Sequence, residues 1–190
     1  MRTVLCSILF LGIMAPATAA LAQSDQPAHE IDLAFTYNPQ YRDGTNGNSF
    51  WSRRGGGGEF SADLYRGVGA VAAISINYTA NINGSGVNLT TYTPVFGPRY
   101  TWSHCKVAIF GEGLVGISEG KSIFPSAGGA VTTANTFAAQ AGGGVDLRLS
   151  KGIAVRPIEA SWLRTGFPNG TTNVQNSLQL GVGVVFRLRH

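Results

Sequence analysis

The sequence predicts an all-β protein: an eight-stranded antiparallel up-and-down transmembrane β-barrel with short periplasmic turns and long extracellular loops. Three observations predict it. Apolar and polar side chains alternate along eight successive segments. The connections between those segments alternate between short and long. An export segment precedes them, and no later run approaches the roughly 20 consecutive apolar residues that a membrane helix needs.

Composition sets the frame. The chain has 190 residues, enough for one domain, with 26 Gly and only 13% charged residues. Gly at that density works against helix. The net charge of +4 comes with no basic cluster, so nucleic acid is not an expected partner. The opening MRTVLCSILFLGIMAPATAALAQS has a positive start at Arg2, an apolar stretch from Val4 to Met14 and a small-x-small site at Ala20-Leu21-Ala22. It reads as a signal peptide over residues 1–22, cleaved before Gln23, leaving residues 23–190 as one barrel domain. Cys6 departs with it and Cys105 is left alone, which excludes an internal disulfide framework. A closed, fully hydrogen-bonded barrel is another source of stability for a small exported domain.

The first strand, Glu30 to Tyr37 (EIDLAFTY), sets Ile31, Leu33, Phe35 and Tyr37 against Glu30, Asp32, Ala34 and Thr36. The second, Gly58 to Tyr65, sets Phe60, Ala62 and Leu64 against Glu59, Ser61 and Asp63. The third, Val68 to Tyr78, carries Ile74, Ile76 and Tyr78 on one row and Ser75 and Asn77 on the other. In the fourth, Tyr92 to Trp102, Tyr92, Phe96, Tyr100 and Trp102 oppose Thr93, Gly97, Arg99 and Thr101; Pro94 and Pro98 weaken its ladder. The fifth, Lys106 to Ser118, sets Val107, Ile109, Val115 and Ile117 against Glu112 and Ser118. The sixth, Thr136 to Leu149, sets Phe137, Val145, Leu147 and Leu149 against Gln140, Asp146 and Arg148. The seventh is Ile153 to Arg164 and the eighth Ser177 to Leu188. In the seventh, Arg156 and Glu159 have opposite parity with Pro157 between them, so a bulge that resets the phase is expected there.

Tight turns are expected at Tyr65-Arg66-Gly67, Ser103-His104-Cys105 and Ser150-Lys151-Gly152, with Gly67 and Gly152 supplying positive φ. The connections Asn38 to Arg54, Thr79 to Thr91, Glu119 to Thr133 and Thr165 to Asn176 are long and rich in Gly, Asn, Ser and Thr. Short turns on one rim and long loops on the other place both termini in the periplasm.

The polar rows carry the charge: Glu30, Asp32, Glu59, Asp63, Arg99, Glu112, Asp146, Arg148, Arg156, Glu159 and Arg187. On a lipid-facing wall an Arg costs about 2 to 4 kcal/mol near mid-bilayer, so these rows face the lumen. The apolar rows hold little charge, Arg164 being the main exception, and carry Tyr37, Tyr78, Tyr92, Tyr100, Trp102 and Trp162 toward strand ends as an interfacial belt. An eight-stranded barrel is only wide enough inside for side chains. A structural network of Arg99, Arg148, Arg156 and Arg187 with Asp32, Asp63, Glu112, Asp146 and Glu159 is therefore expected to plug it.

The chain closes QLGVGVVFRLRH, where Gln179, Gly181, Val184 and Phe186 fit the polar-x-Gly-x-x-apolar-x-aromatic pattern of a terminal barrel strand, the signal read by the barrel-insertion machinery. Together with FGPRYTW (Phe96 to Trp102), AAQAGGGVDLRLSKGIAVRPIEASWL (Ala138 to Leu163) and GVVFRL (Gly183 to Leu188), this ending resembles the OmpA-like outer membrane protein β-barrel domain family. The resemblance covers the chain well from about Val95 onward and the first half by spacing. It implies an eight-stranded barrel in the outer membrane of a Gram-negative cell, and no reaction, because members are mostly of unassigned function.

Catalytic signals are weak. The three His (His29, His104, His190) form no pairing with a Ser nucleophile, so no catalytic residues are assigned. Gly116 to Ser122 has three residues between its glycines where a phosphate loop has four. One Cys and dispersed His give no metal-ligand spacing, and no cofactor is expected. The sequence thus favours a non-enzymatic barrel with a structural or surface-interaction role, contacting an unidentified ligand through Phe50, Trp51, Arg53 and Arg54. A solute or lipid conduit is the alternative, and a lipid-modifying enzyme the third reading. Outer-membrane lipid is the expected surrounding partner.

Overall fold

The structure is a computed structural model that describes residues 30–42, 49–82, 86–124, 130–167 and 174–189. The export segment, Gln23, His29 and His190 lie outside those residues. The strands are β1 (Glu30–Tyr37), β2 (Gln40–Arg42), β3 (Phe50–Ser52), β4 (Arg54–Tyr65), β5 (Val68–Thr79), β6 (Asn88–His104), β7 (Val107–Phe124), β8 (Ala130–Arg148), β9 (Ile153–Thr165) and β10 (Gln175–Arg189). Neighbours in the order β1-β4-β5-β6-β7-β8-β9-β10 pair antiparallel, and β1 pairs with β10, so eight strands close into an up-and-down barrel. Closure removes the edges that an open sheet would leave unpaired.

β2 and β3 form a hairpin standing on β1 and β4. β2 keeps the register that β1 has on β10, from Tyr37↔Val182 to Gln40↔Gln179 and Arg42↔Ser177. The interruption at Asn38 and Pro39 is a local irregularity in one long strand, and Leu180 N still donates to Pro39 O at 3.1 Å.

Alternation sorts the two faces as expected. Phe35, Phe60, Ile74, Phe96, Ile109, Ile117, Phe137, Ile158, Val182 and Phe186 lie exposed on the outer wall, while Glu59, Arg99, Asp146, Arg156 and Arg187 are buried inside. Outward aromatics gather at two levels. Tyr65, Tyr100 and Trp102 lie toward one end, and Tyr37, Tyr41, Trp51 and Trp162 toward the other, the arrangement that suits two membrane interfaces. No helix among the described residues is long and apolar enough to cross a membrane.

The strands outgrow their sequence-based bounds at the extracellular end. β6, β7 and β8 have 17, 18 and 19 residues, against the roughly 9 to 11 that a tilted strand needs to cross the hydrocarbon. The long connections shorten accordingly, to residues 80–87, 125–129 and 166–174. Thr132 to Asn135 are exposed on both faces of β8, which marks this part as standing clear of lipid.

The tight turns differ from one another. Arg66 (φ 47°) and Gly67 (φ 81°) both take positive φ, as a two-residue hairpin turn whose twist matches its strands requires. A side chain on Gly67 would also collide with Thr101 O. Gly152 does not take positive φ, contrary to expectation. That connection is wider, and Ser150 holds it: Leu149 N and Ser150 N donate to Ile153 O at 3.0 Å, and Ile153 N donates to Ser150 Oγ at 3.2 Å. At the remaining turn Cys105, exposed and free, takes the left-handed conformation.

The β9 bulge lies where Pro157 implies. Pairing with β8 shifts between Val145↔Ile158 and Leu147↔Val155, and pairing with β10 between Gly181↔Glu159 and Gly183↔Arg156. Pro157 and Ile158 both lie exposed while Arg156 and Glu159 both turn inward. Pro94 and Pro98 are four apart, so they share one face and one hydrogen-bonding edge. Both keep register partners on β5, Ile74 and Ala70, and the β6–β7 ladder is interrupted at both, with its register unchanged.

Candidate functional site

The lumen is the first candidate. Each barrel strand places every second residue inside, and tilt brings positions far apart in sequence to one height. Glu59 on β4 is the hub of the charged layer. Its Oε1 accepts from Arg99 Nη1 on β6 at 2.6 Å and from Arg156 Nη2 on β9 at 3.2 Å. Arg99 also reaches Glu112 Oε2 on β7, with Nε at 3.0 Å and Nη2 at 2.5 Å. Arg156, 1% exposed, donates from Nε to Asp146 Oδ1 on β8 at 2.8 Å and from Nη1 to Glu159 Oε2 at 2.8 Å. One network thus ties β4, β6, β7, β8 and β9 together across the lumen. Such geometry is needed to offset the desolvation of buried charge.

Phe110 sits inside this layer in contact with two guanidiniums, Arg99 Cζ at 4.1 Å and Arg156 Cζ at 4.3 Å from its ring centroid. Both guanidiniums therefore meet carboxylates in their planes and a π-face across them. Space for the ring comes from Gly144, where an added Cβ would meet Phe110 Cζ at 2.9 Å and Ile158 O at 2.7 Å. Gly181 plays the matching part for Glu159, whose Cβ would lie 3.3 Å from a side chain there.

A second group lies nearer the termini. Arg187 Nη1 donates to Glu30 Oε1 at 3.2 Å, and Arg148 Nη2 stands 3.8 Å from Glu30 Oε2 and 3.4 Å from Ser103 Oγ. Asp32 and Asp63 face the same space but make no ion pair among the described residues, and Asp32 Oδ1 has no hydrogen-bond partner there. The nine charged residues expected in one network therefore divide: Arg99, Glu112, Asp146, Arg156 and Glu159 come together, Arg148 and Arg187 join Glu30, and Asp32 and Asp63 stand apart. In the sequence Glu59 lies on the inner row but outside the expected network, and Phe110 carries no expected role. Its signal is an aromatic on the inner row of a strand.

Between the charged layer and Arg42 at the extracellular end the lumen is neutral. Asn38, Gln40, Ser75, Asn77, Thr93, Ser118, Gln140, Ser161 and Gln179 are buried there. Thr93 Oγ1 and Ser118 Oγ share a bond of 2.9 Å, and Ser161 Oγ donates to Gln179 Oε1 at 3.1 Å. Asn38 Oδ1, Gln40 Nε2, Ser75 Oγ, Asn77 Oδ1 and Gln179 Nε2 have no protein partner among the described residues. A cavity of about 20 Å³ between Ser75, Gln140 and Gln179 and the carboxylates of Glu59, Glu112 and Glu159 has room for one water molecule.

The extracellular rim is the second candidate. Trp51 and Tyr41 pack with ring centroids 5.1 Å apart across the β2–β3 hairpin, and Tyr37 Oη donates to Arg53 O at 2.5 Å. Arg54 lies over Tyr78, 5.9 Å from the ring centroid. Arg53, Arg54 and Arg164 are exposed, and Lys121 pairs with Glu119 at 3.1 Å. Phe50 opens β3, and its side chain lies outside the described residues, as does Asp43. Glu119 is the one carboxylate at this end among the described residues, against Arg42, Arg53, Arg54, Lys121 and Arg164.

The terminal-strand motif occupies β10. Gln179 and Gly181 point inward; Val184 and Phe186 point out, and Phe186 meets Phe35 edge to face at 6.2 Å across the β1–β10 seam. The described residues include one histidine, His104, stacked on Trp102 at 6.0 Å, and contain no group of three potential metal ligands. Gly116 to Ser122 is part of β7.

No family model and no curated protein sequence matches the chain. Solved structures do. Neisserial surface protein A (NspA) is similar over 87% of this chain and 100% of that chain, with 12% identity and a TM-score of 0.64. Ail, the attachment invasion locus protein of Yersinia pestis, solved in complex with the heparin analogue sucrose octasulfate, is similar over 85% of this chain and 100% of that one, with 15% identity and a TM-score of 0.61. A major outer membrane protein from Thermus thermophilus is similar over 82% of this chain and 99% of that one, with 12% identity and a TM-score of 0.51. These likenesses are of fold: the chain has the architecture of small outer-membrane barrels, as its resemblance to OmpA-like barrel domains implies.

Proposed function

We propose that this chain is an integral outer-membrane barrel, exported by its N-terminal segment, that acts as a non-enzymatic surface-interaction protein for anionic partners. The observation that carries this reading is the extracellular rim, where Arg53, Arg54 and Arg164 are exposed beside the Tyr41–Trp51 pair with Glu119 as the one described carboxylate. Aromatic and arginine side chains together suit polyanion contact, the guanidinium fork matching sulfate and carboxylate groups. The sucrose octasulfate bound to Ail is an anion of this class. In this reading the Glu59–Arg99–Arg156 layer closes the lumen and holds the barrel rigid beneath its binding rim.

Cell fractionation, electrophoresis with and without boiling, and retention on immobilised heparin test the proposal together. The chain is expected in the outer-membrane fraction, compact until heated, and retained by heparin in a salt-dependent way. A soluble periplasmic protein, or one that passes through heparin at low salt, would end it. The conduit reading is favoured instead if the purified protein gives discrete single-channel steps in a planar bilayer. A mass change in lipid A on expression would show a lipid-modifying enzyme.

A further inference from the structure

Four guanidiniums are buried in the described lumen: Arg42, Arg99, Arg156 and Arg187. Three have a carboxylate oxygen within 3.2 Å. Arg42 has none among the described residues. It is 5% exposed, and its Nη2 donates to Gln40 Oε1 at 3.1 Å and to Thr91 Oγ1 at 3.2 Å. Nε and Nη1 make no hydrogen bond there. A neutral amide and a hydroxyl orient this cation without neutralising it, and a buried charge without a counter-ion is strongly disfavoured.

Beside it lies a cavity of about 240 Å³, walled by Arg42, Thr91, Ser122 and Gln175 on its polar side and by Leu89 and Phe167 on its apolar side. The Phe167 ring fits there because Gly120 has no side chain; a Cβ would stand 3.3 Å from its Cζ. Pockets for whole drug-sized ligands run from roughly 300 to 1,000 Å³, so this one suits the charged group of a larger molecule. Arg42 turns into the lumen at the extracellular end, on the far side of the wall from the lipid annulus.

We propose that Arg42 is the floor of an oxyanion site in the extracellular mouth, which takes a sulfate or carboxylate group carried by an anionic glycan. Arg42 supplies the charge and the donors Nε and Nη1, Ser122 a hydroxyl, and Leu89 and Phe167 an apolar wall for the sugar ring behind the charged group. The proposal rests on the surface-binding reading and gives it a specific seat, distinct from the exposed arginines of the rim.

The test is isothermal titration of the full mature chain, folded in detergent micelles, with inorganic sulfate and with sucrose octasulfate. Variants are Arg42→Gln, the rim pair Arg53→Gln/Arg54→Gln, and Asp43→Asn. Arg42→Gln removes a buried charge, so it is expected to fold with an undiminished melting temperature. It is expected to weaken sulfate binding about tenfold, the scale of a lost charge-assisted hydrogen bond, while the rim pair weakens the octasulfate by a larger factor than it weakens sulfate. Sulfate affinity within twofold of the parent in Arg42→Gln overturns the site; if the rim pair then abolishes octasulfate binding, the surface-binding reading survives without it. Tenfold tighter sulfate binding in Asp43→Asn also overturns the site, by making Asp43 the counter-ion. Failure of the parent chain to bind either probe overturns both.

Discussion

The two inner layers of the barrel treat buried polarity differently. In the charged layer Arg99 and Arg156 each meet two or more carboxylates as well as the Phe110 ring. In the neutral layer toward the extracellular end, amides and hydroxyls are left partly unbonded to protein, Ser75, Asn77 and Gln179 among them. The difference follows from the cost of failure. An unpaired ion in a narrow lumen loses several kcal/mol and forces its neighbours into contact; an amide or hydroxyl can be served by a single water. Charge therefore ties the middle of the barrel together, while the neutral belt above it is held by fewer bonds between protein groups.

Removing a charge from the tied layer should have the largest effect. Arg156→Met deprives Glu59, Asp146 and Glu159 of a partner at once, and a loss of about 3 to 5 kcal/mol is expected from urea unfolding of the barrel in lipid. A loss under about 1 kcal/mol would show that the layer is not held by its ion pairs. Gly144→Val comes next. It crowds the Phe110 ring and Ile158 O, and about 1 to 3 kcal/mol of destabilisation in the same assay would measure how rigidly the ring is clasped. The smallest effect belongs to the neutral layer. Ser75→Ala removes a hydroxyl with no protein partner among the described residues, and a change within about 0.5 kcal/mol is expected. A change as large as that of Gly144→Val would erase the contrast between the layers.

Much of this architecture was legible in the sequence, because alternation is imposed wherever lipid lies on one side and a lumen on the other. β1 has the expected bounds, and the parity conflict of Arg156 and Glu159 around Pro157 located the β9 bulge. Legibility failed where lipid ends. At Thr132 to Asn135 every residue is exposed, alternation fades and the strand reads as loop, whereas Gln40 to Arg42 keep it (buried, exposed, buried) in a strand of three residues after Pro39, too short to read as one. Arg42 was hidden by that brevity. The partners of inward charges were hidden for another reason: parity gives the face, but the stagger between strands decides that Glu59 pairs with Arg99 and Arg156 while Asp32 and Asp63 form no ion pair among the described residues.

The seam between β1 and β10 has a consequence for biogenesis. One edge of Ile31 to Tyr37 pairs with Gly56 to Ala62 of β4, close by in the chain, but the other edge is met only by Val182 to Leu188 of β10, the last barrel strand in chain order. Until those two edges meet, β1 and β10 are both raw borders. Shutting them is a single act that joins the first barrel strand to the last, with Glu30 and Arg187 as the clasp. A chain cut short in β10 would have no ring to become, only a ribbon prone to pairing with its neighbours.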